Sequence, residues 1–128
     1  MNAIYSWQKL ELLLAANLVK GDVVGCLTFD DYHLPETREQ VRNKFKWFLD
    51  KLRAAREARG QDLVMFWSIE HLHGEGRWHI HIACNATGSD YEEMLRLWGH
   101  GECEFTPLRV DKKKNYETLA RYMAKEER

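Results

Sequence analysis

The sequence predicts an α+β protein built on one antiparallel sheet, and three observations support that fold class. Apolar and polar residues alternate in short segments, as in half-buried strands. Longer stretches repeat apolar residues every three or four positions, as in helices. Two alternating segments flank the turn His73-Gly74-Glu75-Gly76. The order is helix, βαββαβ, helix, which predicts a ferredoxin-like or RRM-like sheet with helices on one face and an active site on the other.

The first half of the chain supplies three elements. Leucines recur at helical spacing within residues 5–19, and a glycine follows, so this segment is predicted to be a helix. Residues 22–30 alternate as a strand, and the loop 31–35 ends in proline. Residues 36–59 repeat apolar side chains in steps of four and three until Gly60, which predicts the longest helix.

The second half supplies the remaining elements: strands over 62–72, 77–84 and 102–110, a helix from Ser89 or Asp90 to Trp98, and a closing helix over 114–127. Gly99 ends the short helix. Pro107 places the last strand at a sheet edge, because proline cannot donate a ladder hydrogen bond.

Length and composition limit the possible classes of protein. A chain of 128 residues with no repeat or Pro/Gly linker predicts a single domain over 1–128. The net charge of −1 argues against nonspecific nucleic-acid binding through bulk charge. The apolar run Leu12–Leu18 is too short for a membrane span, and no targeting segment is recognised, so no membrane partner is expected.

The cysteines predict no thiolate chemistry. Cys26, Cys84 and Cys103 are widely spaced and form no Cys-x-x-Cys pair, which argues against a zinc knuckle or a thioredoxin-like site. They are expected to be reduced residues of a cytoplasmic protein.

The hairpin over residues 63–84 fixes a register by its apolar pattern. When paired residue numbers sum to 149, one face is wholly apolar. The other face then pairs Glu70 with His79 and Ser68 with His81. A slip of one residue would expose the apolar set, so the pattern itself supports this register.

This register predicts a site for one divalent ion. His79 and His81 project from the same face of one strand, and Glu70 projects beside them from the next. Two imidazoles and a carboxylate suit Mn, Fe, Co, Ni or Zn better than Mg, and leave coordination positions open for catalysis. The alternatives are solvated residues on an exposed sheet, or a structural zinc site that also uses His71 and His73.

The closing helix displays a second candidate pair. Its core stripe contains Tyr116 and Met123, whereas Tyr122 and Lys125 lie three residues apart on a more polar face. A tyrosine beside a lysine can act as a nucleophile with a cationic helper. The alternative is an ordinary surface tyrosine with an exposed lysine.

These motifs together resemble the catalytic domain of rolling-circle replication initiators, the Rep proteins of the HUH endonuclease superfamily, in their phage and plasmid type. The motifs occur in the family's order: Leu27-Thr28-Phe29, then Glu70, then His79-Ile80-His81, then Tyr122-Met123-Ala124-Lys125. The tyrosine follows the HUH motif, unlike that of conjugative relaxases.

The resemblance implies a metal-dependent, sequence-specific endonuclease and strand transferase acting on single-stranded DNA. Tyr122 would attack the scissile phosphate to form a 5′-phosphotyrosine, and Lys125 would position the phosphate. Glu70, His79 and His81 would hold one ion, Mn²⁺ or Mg²⁺. The expected partner is single-stranded DNA with an origin hairpin, with a host or separate helicase, and the protein is expected to act as a monomer.

Further residues are expected to contact DNA because they are basic or lie near the motifs: Thr28, His71, His73, Arg77, Arg109, Lys112, Lys113 and Lys114. Most of the basic group immediately precedes the tyrosine helix. The histidines could stack on bases or bond to them.

The same motifs and predicted fold are compatible with two other functions. A single-tyrosine HUH transposase has the same motif order but works as an obligate dimer. A non-catalytic RRM-like module would bind single strands on sheet aromatics, yet Phe66 is the one aromatic near the proposed polar face.

Overall fold

Four helices and four strands follow one another in the predicted order. The structure is a computed structural model of the chain and describes residues 3–71, 77–110 and 116–124, with side chains from Trp7 onward. The elements are α1 (Ala3–Asn17), β1 (Val23–Leu27), α2 (Arg38–Ala58), β2 (Met65–His71), β3 (Trp78–Cys84), α3 (Asp90–Trp98), β4 (Cys103–Pro107) and α4 (Glu117–Ala124).

The strands form one antiparallel sheet in the order β2-β3-β1-β4. This is the split arrangement expected of a ferredoxin-like βαββαβ fold. The predicted hairpin register is confirmed, since Glu70 lies opposite His79 and Ser68 opposite His81. β4 is an edge strand and includes Pro107, also as predicted.

The main core lies between the sheet and helices α2 and α3. Phe45 and Phe48 of α2 pack with Trp98 of α3 against the apolar hairpin residues Ile80 and Ile82, and all five are buried. Burial of each such side chain contributes about 1.5–3 kcal/mol. The Thr37 hydroxyl caps α2 by accepting from a backbone N–H of its first turn, and Gly99 ends α3 in the left-handed conformation.

The second face of the sheet carries a helical layer as well. α1 and α4 pack together over Val24, Phe66 and Ala83, which form an apolar half of that face. The Tyr116 hydroxyl donates to the Leu18 carbonyl at 2.6 Å and ties the start of α4 to the end of α1. The face expected to be free is therefore half covered, because its apolar residues need burial, and its polar half stays accessible.

A buried arginine joins α2 to α3 and to the end of β3. Arg56 is fully buried and donates to the Asp90 carboxylate at 3.0 Å and to Asn85. Burial opposes ionisation of Asp90, but hydrogen bonds from Thr87 and Gly88 and the nearby guanidinium hold the pKa of its carboxyl below the usual value. The Asp90 carboxylate is therefore ionised inside the protein, beside the Arg56 side chain.

Within the described ranges, none of the helices has the length and apolar character needed to cross a membrane.

Substitution of Arg56 tests the importance of this buried pair. Arg56→Ala leaves the buried Asp90 carboxylate without its cation, so we expect a loss of about 3–5 kcal/mol in the free energy of unfolding, measured in urea. Arg59→Ala is the matched control, because Arg59 directly follows the same helix and pairs with Glu93 at the surface. Equal effects of the two substitutions would contradict the assigned role of Arg56.

Candidate functional site

A polar row crosses all four strands on the second face of the sheet. Ser68, His81, Cys26 and Glu104 lie directly opposite one another, from β2 through β3 and β1 to β4. Directly opposite residues project from the same face, so their side chains form one continuous row. We call the accessible polar half of this sheet surface the site face.

His81 and Glu70 meet on the site face. The His81 Nε2 atom lies 3.0 Å from the Glu70 Oε1 atom, in a pair that is only 3% and 15% exposed. The His81 Nδ1 atom and the Ser68 hydroxyl are buried without a hydrogen-bond partner in the described part of the chain. These polar groups are therefore available to bind a ligand, because buried polar atoms normally have a partner.

Helix α4 places Tyr122 against this pair. Ala120 and Met123 anchor α4 in the second core, so that Tyr122 projects towards the sheet. The Tyr122 and His81 rings meet edge to face, with centroids 4.4 Å apart. Tyr122 remains 48% exposed, so a substrate can reach its hydroxyl. The structure thus brings together three of the predicted site residues.

The surroundings of Tyr122 carry negative charge. Partial burial raises the pKa of Tyr122, and the neighbouring Cys26, Glu70 and Glu104 groups raise it further. Burial and the same two carboxylates raise the pKa of the Cys26 thiol to about 11. Both groups are therefore protonated at neutral pH, and a bound cation would offset the local negative charge.

The donor set fits a divalent ion in its chemistry. His81 Nε2 and Glu70 Oε1, which lie 3.0 Å apart, are a nitrogen and an oxygen donor that one ion can accept together. His79 lies directly opposite Glu70 on the same face. Across residues 3–71, 77–110 and 116–124, however, no three His, Cys, Asp or Glu side chains already converge as a metal-binding group. A three-residue site therefore requires His79 to join Glu70 and His81 when the ion binds.

A groove of about 680 Å³ lies beside Tyr122. Its walls include Val24, Leu108 and Leu119, and Arg109 lines it as a cation. Apolar walls with a few polar groups suit an organic ring, and an arginine suits a phosphate. The predicted position of Arg109 near the tyrosine is therefore compatible with a nucleotide.

Two other predicted DNA contacts already have protein partners. The Thr28 hydroxyl donates to the Glu102 carbonyl at 3.0 Å, which extends the pairing of β1 with β4. The Arg77 guanidinium donates to the Phe29 carbonyl and pairs with Asp31. Both residues lie at the end of the sheet near His79, but their polar groups hold the loop after β1.

His71 lies on the opposite face from the site, stacked on Trp78 with ring centroids 3.9 Å apart. The remaining predicted site residues, His73, Lys112, Lys113, Lys114 and Lys125, lie outside the described residues.

Two members of the polar row, Cys26 and Glu104, are absent from the residues predicted for the site. The strand alternation of β1 and β4 was the available signal, since each residue occupies a position whose side chain faces the site. Their proximity to His81 required the pairing of β1 with both neighbours, which local patterns do not fix.

Comparisons with known proteins agree with this architecture. The solved structure of the hypothetical protein ORF119 from Sulfolobus islandicus rod-shaped virus 1 is similar with a TM-score of 0.62. At 12% identity over 94% of this chain and 93% of that one, the likeness shows a shared fold. No curated protein sequence matches the chain.

Residues 22–127 match the ORF2-type family of replication-associated proteins, a span that begins just before β1 and extends beyond the end of α4. The match therefore includes the whole sheet and the helix that carries Tyr122. On this basis, the chain belongs to the ORF2-type family of replication-associated proteins.

Proposed function

We propose that the protein is a metal-dependent, sequence-specific single-stranded DNA endonuclease and strand transferase that initiates rolling-circle replication. The observation that carries the proposal is the contact of Tyr122 with His81, which in turn contacts Glu70. Membership of a replication-associated family supports the biological process. Residues 1–128 would then form a single nicking and joining domain.

The reaction uses Tyr122 as the nucleophile. Its hydroxyl oxygen attacks the scissile phosphorus, the phenol loses its proton, and a 5′-phosphotyrosine bond forms. The bond from phosphorus to the 3′ oxygen breaks, and that oxygen takes up a proton to leave a free 3′-hydroxyl. A 3′-hydroxyl can attack the phosphotyrosine in reverse, so strands are rejoined without a separate energy source.

Glu70, His79 and His81 are the residues that would hold one divalent ion, Mn²⁺ or Mg²⁺. When bound, the ion withdraws charge from the scissile phosphate. The mixed nitrogen and oxygen donors favour Mn²⁺ over Mg²⁺. The His81 ring also supports the Tyr122 ring edge to face, which orients the phenol towards the substrate.

Other chain groups bind and position the DNA in this proposal. Arg109 contacts a phosphate or base in the groove beside Tyr122. Lys125, the next residue after the described end of α4, positions the scissile phosphate. The substrate is single-stranded DNA next to an origin hairpin, and the protein acts as a cytoplasmic monomer with a separate helicase.

Tyr122→Phe is the direct test of the nucleophile. We expect the variant to form no covalent adduct with single-stranded origin DNA in Mn²⁺, while its DNA affinity stays within twofold of the wild type. Denaturing gels and intact mass report the adduct, and fluorescence anisotropy reports binding.

Tyr116→Phe is the matched control, because Tyr116 immediately precedes the same helix but donates to the Leu18 carbonyl inside the second core. It should keep full adduct formation and lose about 0.5–1.5 kcal/mol of stability. An adduct in Tyr122→Phe at the wild-type rate would refute the assignment. Binding without any adduct in the wild-type protein would favour a non-catalytic binding module.

The ion site has a separate test. Loss of a group that only hydrogen-bonds to a metal ligand weakens metal binding about 10- to 100-fold. Because His81, His79 and Glu70 are the proposed ligands themselves, His81→Ala, His79→Ala or Glu70→Gln should weaken Mn²⁺ binding by at least that factor. Titration calorimetry or Mn²⁺ electron paramagnetic resonance measures the affinity. His71→Ala is the control, because His71 stacks on Trp78 on the opposite face. Unchanged Mn²⁺ affinity in His81→Ala would place the ion elsewhere.

A further inference from the structure

An exposed tryptophan stands on the outer surface of α2, far from any core role. Trp47 is 60% exposed, although large aromatic residues are normally covered. The ammonium group of Lys51, one turn along the helix, lies 4.5 Å from the centre of its ring. Such an exposed ring with an adjacent cation resembles a binding element more than a packing element.

Other aromatic rings continue from Trp47 across the surface. His100 lies between α3 and β4, with its ring centroid 6.3 Å from that of Trp47. The His33 ring centroid lies 5.2 Å from that of His100. These three rings, together with Lys44 and Lys51, are here called the Trp47 patch.

Positive charge gathers in the Trp47 patch. Lys44 and Lys51 have no carboxylate partner among the residues that the structure describes. Burial lowers the pKa of His100, and the nearby Lys44, His33 and Lys51 side chains lower it further, with Asp30 opposing them. His100 therefore presents an uncharged aromatic ring at neutral pH, close to Lys44 and Lys51.

The loop that carries His100 packs closely against the segment that leaves β1. The Asp30 backbone N–H donates to the His100 carbonyl at 2.8 Å. A Cβ atom on Gly101 would lie 2.5 Å from the Thr28 carbonyl oxygen, so glycine permits the close approach of this loop to the segment that leaves β1. The loop that carries His100 therefore lies directly beside Thr28, at the end of β1.

We propose that the Trp47 patch binds single-stranded DNA that extends from the cleavage site, with a base stacked on Trp47 and phosphates beside Lys44 and Lys51. The choice of DNA rests on the proposed function. Lysines without a carboxylate partner among the described residues, next to an exposed aromatic ring, match a chain that alternates phosphates with planar bases. Duplex DNA hides its base faces, so the patch selects single strands, and stacking makes it tolerant of sequence.

Fluorescence anisotropy with a labelled 20-nucleotide oligodeoxythymidylate tests the patch. We expect Trp47→Ala to weaken binding about tenfold, because a base–aromatic stack contributes about 1–3 kcal/mol, and Trp47→Phe to weaken it less. Lys51→Ala should lower the affinity and reduce the salt dependence by about one counterion. Leu95→Ala, a comparably exposed apolar residue on α3, and Lys46→Ala, an exposed lysine on α2, should stay within twofold of the wild type.

The proposal would be overturned if Trp47→Ala bound the oligodeoxythymidylate with wild-type affinity, or if the wild-type protein did not bind it. It would also be overturned if Trp47→Ala lost affinity only for a 20-base-pair duplex. Thermal melting checks that each variant is folded. The adduct assay separates this proposal from the proposed function. If oligodeoxythymidylate binding depends on Trp47 but no adduct forms, only the proposed nuclease activity is refuted. If the adduct forms normally but binding does not depend on Trp47, only the proposed role of the Trp47 patch is refuted.

Discussion

The strict alternation of the β2–β3 hairpin is the constraint on which the rest of the molecule depends. Its apolar residues, among them Ile69, Ile80 and Ile82, are buried beneath α2 and α3. Because side chains alternate, the same pairing directs Glu70 and His81 to the opposite face. A slip of one residue would bury the polar set and expose the apolar set. Core packing therefore holds the site residues in place.

The boundary between apolar and polar rows on the second face positions the helix that carries Tyr122. Val24, Phe66 and Ala83 need cover, and α1 with α4 supplies it. The next row begins with polar side chains, so the helical layer ends there and the site stays accessible. Tyr122 lies at this boundary, held by buried neighbours in α4 yet half exposed towards the site face. Tyr122 thus lies close to His81 because apolar side chains on the same face of the sheet are buried beneath α1 and α4.

The features that local periodicity encodes could be predicted from the sequence. The order of elements, the hairpin register and the displacement of Tyr122 from the core stripe all follow from patterns within a few turns or strands. Features created by contacts between distant segments were not predictable. The packing of α1 against α4, the position of Cys26 beside His81, and the pairing of Arg77 with Asp31 are examples. Each depends on how separate elements meet, which no local pattern specifies.

We propose that the site face binds one divalent ion close to Tyr122. The most direct measurement is an anomalous difference map from a crystal of the protein soaked in Mn²⁺ and recorded at the manganese absorption edge. We expect one peak, within coordination distance of His81 Nε2, Glu70 Oε1 and the His79 imidazole. A map with no peak on the site face, or with its peak at other residues, would refute the proposed ion site.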